Sequence, residues 1–153
     1  MMTDTVDLLE YTVEEIMEKR PTLALVYYPS KFDFYWFIAR IVNLLKRHQE
    51  LVEPLPEIRD RLEALIKGTA TKQILKAAKA GEKGQKFWVE FLGNYGKKDR
   101  NEDAIFSTSL ALNALLDAWT TREGSAVSYD EGTPEEVKTT IESGVEYLMQ
   151  SLK

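Results

Sequence analysis

The chain has 153 residues, 44% of them hydrophobic and 29% charged, with a formal net charge of −5 and no cysteine. That length supports a single domain spanning residues 1–153 with a real core, and the composition excludes disordered or collagen-like chains. The acidic balance argues against a dedicated nucleic-acid binder, while the missing thiols exclude disulfides, cysteine nucleophiles and cysteine-ligated zinc.

The N-terminus, "MMTDTVDLLEYTVEE", is acidic and amphipathic where a signal peptide would be basic and then continuously apolar, so a cytoplasmic location is expected. Val6, Leu9, Val13 and Ile16 recur at three- and four-residue steps, which predicts a first helix capped by Asp4 and stopping before Pro21. "TLALVYY" has branched and aromatic residues suited to a strand but no strand-like partner elsewhere, and is read as non-strand. In "YPSKFDF", Ser30 can cap a helix and Asp33 can complete a capping box, predicting a long helix to about Glu50. Its wide apolar face would be Phe34, Phe37, Ile38, Ile41, Leu44 and Leu45, with Asp33, Arg40 and Arg47 on the other side. Trp36 and Tyr35 flank that polar stripe, where Arg40 beside Trp36 can form a cation–π contact. The most apolar part, "FDFYWFIARIVNLL", falls short of the roughly 20 apolar residues that span a bilayer. No transmembrane segment is expected.

"EPLPEI" ends that helix and lets a proline start the next, which carries Ile58, Leu62, Leu65 and Ile66 and reaches a possible break at Gly68. "AGEKGQ" reads as a turn, "KFWVEFLGNYG" as a short aromatic helix, and "KKDRNE" as an exposed loop. A further helix spans "EDAIFSTSLALNALLDAW". Ser107, Ala111, Ala114 and Ala118 share one side of it, so a neighbouring backbone can approach closely. Ile105, Leu112, Leu115, Leu116 and Trp119 cover a second side, and Ser109, Asn113 and Asp117 form a narrow polar stripe. Such a helix belongs to an interior layer. "REGSAVSYDEG" is read as the longest loop, and Thr133, Pro134 and Glu136 predict the start of the last helix, whose buried stripe is Val137, Ile141, Val145 and Leu148. The expected fold is therefore all-α, about six helices pairing as antiparallel hairpins, with no paired strands.

Catalytic signatures are missing. His48 is the only histidine and sits at a helix end in "LKRHQE", which suits a solvated or helix-terminus role better than a catalytic triad. "GEKGQK" lacks the spacing of a phosphate-binding loop, and the acidic pairs Asp130/Glu131 and Glu135/Glu136 sit where the macrodipole of a helix start explains them. No catalytic residue, metal ligand or cofactor is therefore assigned.

"FSTSLALNALLDAW" followed by "VKTTIESGVEYLMQSL" resembles the inner-helix and outer-helix hairpin of the terpene-cyclase and prenyltransferase α/α-toroid proteins, best over residues 105–152. "YYPSKFDFYWFIARIVNLL" is similar to an earlier inner helix. The resemblance implies a partial toroid or helical-repeat arc, since a complete member closes about six hairpins and this chain holds about three. The family's chemistry does not carry over: Ala104, Ile105, Phe106 and Ser107 stand where an acidic DxDD motif would lie, and neither DDxxD nor a Cys/His zinc set is present. Two functions remain in view. One is a non-catalytic helical-hairpin module for protein association or self-association. The alternative is a segment walling an apolar cavity for an isoprenoid-type ligand, with Phe34, Tyr35, Trp36, Arg40, Phe87, Trp88, Asn113 and Trp119 as lining candidates. With one histidine and no thiol, the purified, untagged protein should carry no stoichiometric zinc, as elemental analysis would show.

Overall fold

The computed structural model describes residues 2–17, 19, 30–48, 56–89 and 100–152. Among these residues the chain is mostly helical, as expected, but two small antiparallel hairpins correct the expectation of no paired strands. Helix α1 comprises Met2–Tyr11 and a π-helical continuation, Thr12–Met17. Val6 and Val13 are buried and Leu9 packs on the core, as the periodicity requires. The helix starts ahead of Asp4, which therefore lies in the first turn and is not the cap.

Helix α2, Lys31–Arg47, starts where expected, with the Phe32 amide donating to the Ser30 hydroxyl at 3.1 Å, and it ends short of Glu50. Its buried face is Phe32, Phe34, Tyr35, Ile38, Ala39, Val42 and Asn43. This corrects the predicted face, because Phe37 and Leu44 stand 48% and 44% exposed. The small side chains of Ala39 and Asn43 turn inward beside the larger Phe32, Phe34, Tyr35 and Ile38, while Phe37 and Leu44 are carried outward. "TLALVYY" lies outside the described residues.

Helix α3 opens at Pro56, runs Pro56–Leu65, widens through a π-helical turn at Ile66–Ala70 and finishes as Thr71–Ala77. It does not break at Gly68. The turn absorbs the glycine, and Thr71 closes it by donating its hydroxyl to the Ile66 carbonyl at 2.6 Å. Strands β1, Lys79–Ala80, and β2, Lys86–Phe87, then pair antiparallel around the expected turn. Lys86 and Phe87 are thus extended where a helix was predicted, and the remainder of that segment from Glu90 lies outside the described residues.

Helix α4, Arg100–Trp119, is followed by strands β3, Thr120–Glu123, and β4, Ala126–Tyr129, and then by helix α5, Glu135–Ser151. The predicted loop is a β-hairpin. Gly124, at φ 62°, takes the left-handed position of its two-residue turn, and Thr121 and Val127 supply branched residues to its strands. Pro134 occupies the cap position of α5. Thr133 does not cap it, because its hydroxyl donates to the Asp130 carbonyl at 2.5 Å.

Hydrogen bonds fix the helix directions. Asn43 and Lys46 near the end of α2 reach Asp117 and Ala118 near the end of α4, and these two helices make the most extensive helix contact, so they run parallel. Tyr35 donates to Gln73 while Lys46 and Lys67 meet on one carboxylate, so α3 runs antiparallel to α2. Helix α1 is held to α3 by Arg61, which donates to Glu10 at 2.7 Å and Asp7 at 2.6 Å. Helix α5 returns along α4. The outcome is a pair of parallel helices, α2 and α4, each followed by a helix of opposite direction. No described helix is long and apolar enough to cross a membrane.

The small side of α4 behaves as predicted, with Ser107, Ala111, Ala114 and Ala118 all buried. A second close approach lies between α4 and α5. A Cβ added to Gly144 would stand 2.7 Å from Leu112 Cδ2 and 3.1 Å from Trp88 Cζ3, and both of those side chains are buried. Gly144→Ala should therefore overpack this seam and lower stability by about 1–3 kcal/mol, measured by thermal denaturation. Ala114→Leu should cost a similar amount on the facing seam, about 1–3 kcal/mol.

Candidate functional site

Two polar constellations lie where α2 meets α4. The first is built on Asp117, from the polar stripe of α4. Trp36 donates its indole N–H to Asp117 Oδ2 at 2.9 Å, and Arg40 Nη1 stands 3.7 Å from the same oxygen. Arg40 does not stack on Trp36; both converge on the carboxylate. An open recess of about 370 Å³ borders them, lined by Asp33, Trp36, Phe37 and Arg40. Burial at this wall pushes the Asp33 carboxyl above its ordinary range. Behind the recess, the Asn43 amide donates to the carbonyls of Asp117 and Thr120 at 3.2 and 3.4 Å. Its Oδ1 is buried with no partner among the described residues.

The second constellation centres on Asp130, at the end of the β3–β4 hairpin. Oδ2 accepts from Lys46 at 2.7 Å and Lys67 at 3.0 Å, and Oδ1 accepts from the Thr121 hydroxyl at 2.7 Å. Lys46 also donates to the Ala118 carbonyl at 3.1 Å, where the negative end of the α4 dipole favours a cation. Lys67 also pairs with Glu63 at 2.9 Å and lies 5.0 Å from the Trp119 ring centroid, the cation–π contact that Arg40 does not make. The Trp119 indole in turn donates to the Thr71 hydroxyl at 3.0 Å.

Burial opposes charge at both ends of this cluster and is outweighed. Desolvation would raise Asp130, but Lys46, Thr121 and Lys67 hold its carboxyl below the usual range. Desolvation would lower Lys67, but Glu63 and Asp130 carry it above the ordinary lysine value. Both charges are thus committed to each other, and the cluster offers neither a free nucleophile nor a free proton acceptor.

The lining candidates do not share one cavity. Phe34, Tyr35, Trp88 and Trp119 are buried in the core. Trp88 is held by its surroundings: its indole donates to the Ile74 carbonyl at 2.8 Å, and its backbone N–H donates to the Thr108 hydroxyl at 3.0 Å. Phe87 stacks on Tyr147 with ring centroids 5.1 Å apart. Asn113 is exposed, and only Trp36 and Arg40 line the recess. His48 caps the end of α2, its amide donating to the Leu44 carbonyl. Among the described residues no group of three His, Cys, Asp or Glu is placed to hold a metal ion.

Of the residues that do converge, Asn43, Lys46, Lys67, Thr71 and Asp130, the sequence reading explained only Asp130, and as an acid favoured by a helix start; the structure corrects this, since its carboxylate is held by Lys46, Lys67 and Thr121. Nothing local joins positions so far apart along the chain. No family model matches the chain, and neither a curated protein nor a solved structure matches it at a significant level.

Replacing Asp130 by Asn would leave Lys46 and Lys67 half-buried without their shared anion, which should cost about 2 kcal/mol at pH 7. Because the folded carboxyl is depressed, its contribution is present above the unfolded value of about 4 and is lost as pH falls through the folded one. Urea denaturation at neutral and acid pH should therefore show wild type and Asp130→Asn converging as the pH drops. At the alkaline end the sign reverses for Lys67. Its contribution, full below the unfolded value of about 10.4, is lost as pH rises through the raised folded one.

Proposed function

We propose that this chain is a non-catalytic helical-hairpin module that mediates protein association, an incomplete arc of the kind the toroid proteins close into a barrel. What carries this reading is the division of labour on α2. Asn43 and Lys46 on its inner side are spent on joining helices, while Trp36, Phe37, Arg40, Leu44 and Arg47 stand at or near its outer surface. Aromatic and arginine side chains together favour a protein partner, because both residue types are enriched at the buried centres of protein interfaces. In an acidic chain, a face with two exposed arginines and no lysine-rich patch favours an acidic amphipathic helix. The alternative, a wall for an isoprenoid-type ligand, has less support, since half of its lining candidates pack in the core.

Trp36 offers a direct readout, being half-buried while Trp88 and Trp119 are buried. A designed acidic helical peptide, with leucines at three- and four-residue steps flanked by glutamates, should shift its emission to the blue. Phe37→Asp should weaken that binding about tenfold, equivalent to about 1.4 kcal/mol. Unchanged emission at ~1 mM peptide would remove the reading.

A further inference from the structure

The outer face of α2 carries Phe37, Ile41 and Leu44 at steps of four and three, with Phe37 and Leu44 exposed and Ile41 half-buried. Arg40 and Arg47 run beside this stripe, and both are exposed; Asp33 is the acid on the same flank. Elsewhere on the molecule, α5 carries a second uncovered stripe with the same steps. Val145, Met149 and Leu152 are 42%, 59% and 77% exposed, which corrects the expectation that Val145 belongs to the buried stripe. Its flank is acidic, with Glu142 and Glu146 exposed, and Lys138, half-buried, directs its ammonium over the Tyr129 ring 5.6 Å away.

Among the described residues, the stripe on α5 stands outside the contacts that hold that helix. Val137, Ile141 and Gly144 face the core and α4, while Ser143, Tyr147 and Gln150 meet β2 and the turn before it, through Lys86, Phe87 and Gln85. Val145, Met149 and Leu152 occupy the remaining side. Two apolar stripes of equal spacing, one beside arginines and one beside glutamates, are complementary in shape and sign.

We propose that the occupant of the α2 face is a second copy of this chain, docked through the outer stripe of its α5. Because the two stripes differ, the contact is heterologous: an associated pair still presents one unused α2 face and one unused α5 face, so association continues head to tail. A contact of two helix faces is smaller than a standard interface, which makes it weak and dependent on concentration. Alternative occupants are addressed by the exposed pair Leu8 and Tyr11 on α1, also beside acids.

The inference rests on the association reading, and sedimentation of the full chain from ~10 µM to ~1 mM separates the two. The wild type should show mass rising with concentration, weakened about fivefold or more when salt goes from ~50 to ~500 mM. Phe37→Asp and Met149→Asp should each be monomeric with unchanged circular dichroism, since both positions are exposed. Mixed in equal amounts they should form a dimer and nothing larger, because the first retains an intact α5 and the second an intact α2. Leu8→Asp should associate like the wild type. A mixture that stays monomeric, or loss of association in Leu8→Asp with Met149→Asp unaffected, overturns the inference. A monomeric wild type whose Trp36 still responds to the acidic peptide overturns it while leaving the association reading in place. A monomeric wild type with no peptide response overturns both.

Discussion

The carboxylate of Asp130 is the point on which the packing of this chain depends. Cations from α2 and α3 meet on one of its oxygens, and a hydroxyl from β3 occupies the other. The side chains of Lys46, Lys67 and Asp130 are 17%, 21% and 14% exposed, too little for water to solvate any of them fully. Charges at this depth are tolerated as a set, because their mutual attraction and hydrogen bonds offset the desolvation cost that each carries. The set also fixes geometry. Lys46 can reach Ala118 and Asp130 together only if the C-terminal ends of α2 and α4 lie side by side, so this one cluster enforces the parallel course of the two helices.

The same economy bears on function. Asp117 binds Trp36 and lies near Arg40, Asp130 binds two lysines, and the buried hydroxyls of Thr71 and Thr108 bind indole and backbone donors. Each of these polar groups joins one element of the fold to another. Exposed large apolar side chains stand on several elements, among them Phe37 and Leu44 on α2, Val145 and Met149 on α5, Leu8 and Tyr11 on α1, and Phe106 on α4.

Much of this was legible because it is local. A serine before an aromatic run set the start of α2, two prolines set the start of α3, and the four- and three-residue spacing of Ser107, Ala111, Ala114 and Ala118 located the close face of α4. The face of α2 was misjudged for a physical reason. Summed hydrophobicity favours burying Phe37 and Leu44, but tight parallel packing favours Ala39 and Asn43 at the contact, and packing won. The β3–β4 hairpin had a signal that was passed over, since Gly-Ser between "TTRE" and "AVSY" is a two-residue hairpin turn. The Asp130 cluster had none, because periodicity describes one element at a time and this cluster exists only once several elements are assembled.

The π-helical turn at Ile66–Ala70 has a consequence for how the chain tolerates change in length. Such a turn holds one residue more than an α-helical turn would, and a side chain at Gly68 would meet no atom within 4 Å. Substitution there is sterically free, and the turn also makes a one-residue deletion tolerable. Losing one residue from an ordinary α-helix rotates everything after it by about 100°, whereas losing one here would return the wide turn to α-helical winding and leave the flanking segments facing nearly as before. Arg61 ahead of the turn would keep its acids on α1, and Gln73 and Ile74 after it would keep Tyr35 and the Trp88 indole. The surplus residue is thus slack in the length of the helix, held where its two halves meet different neighbours.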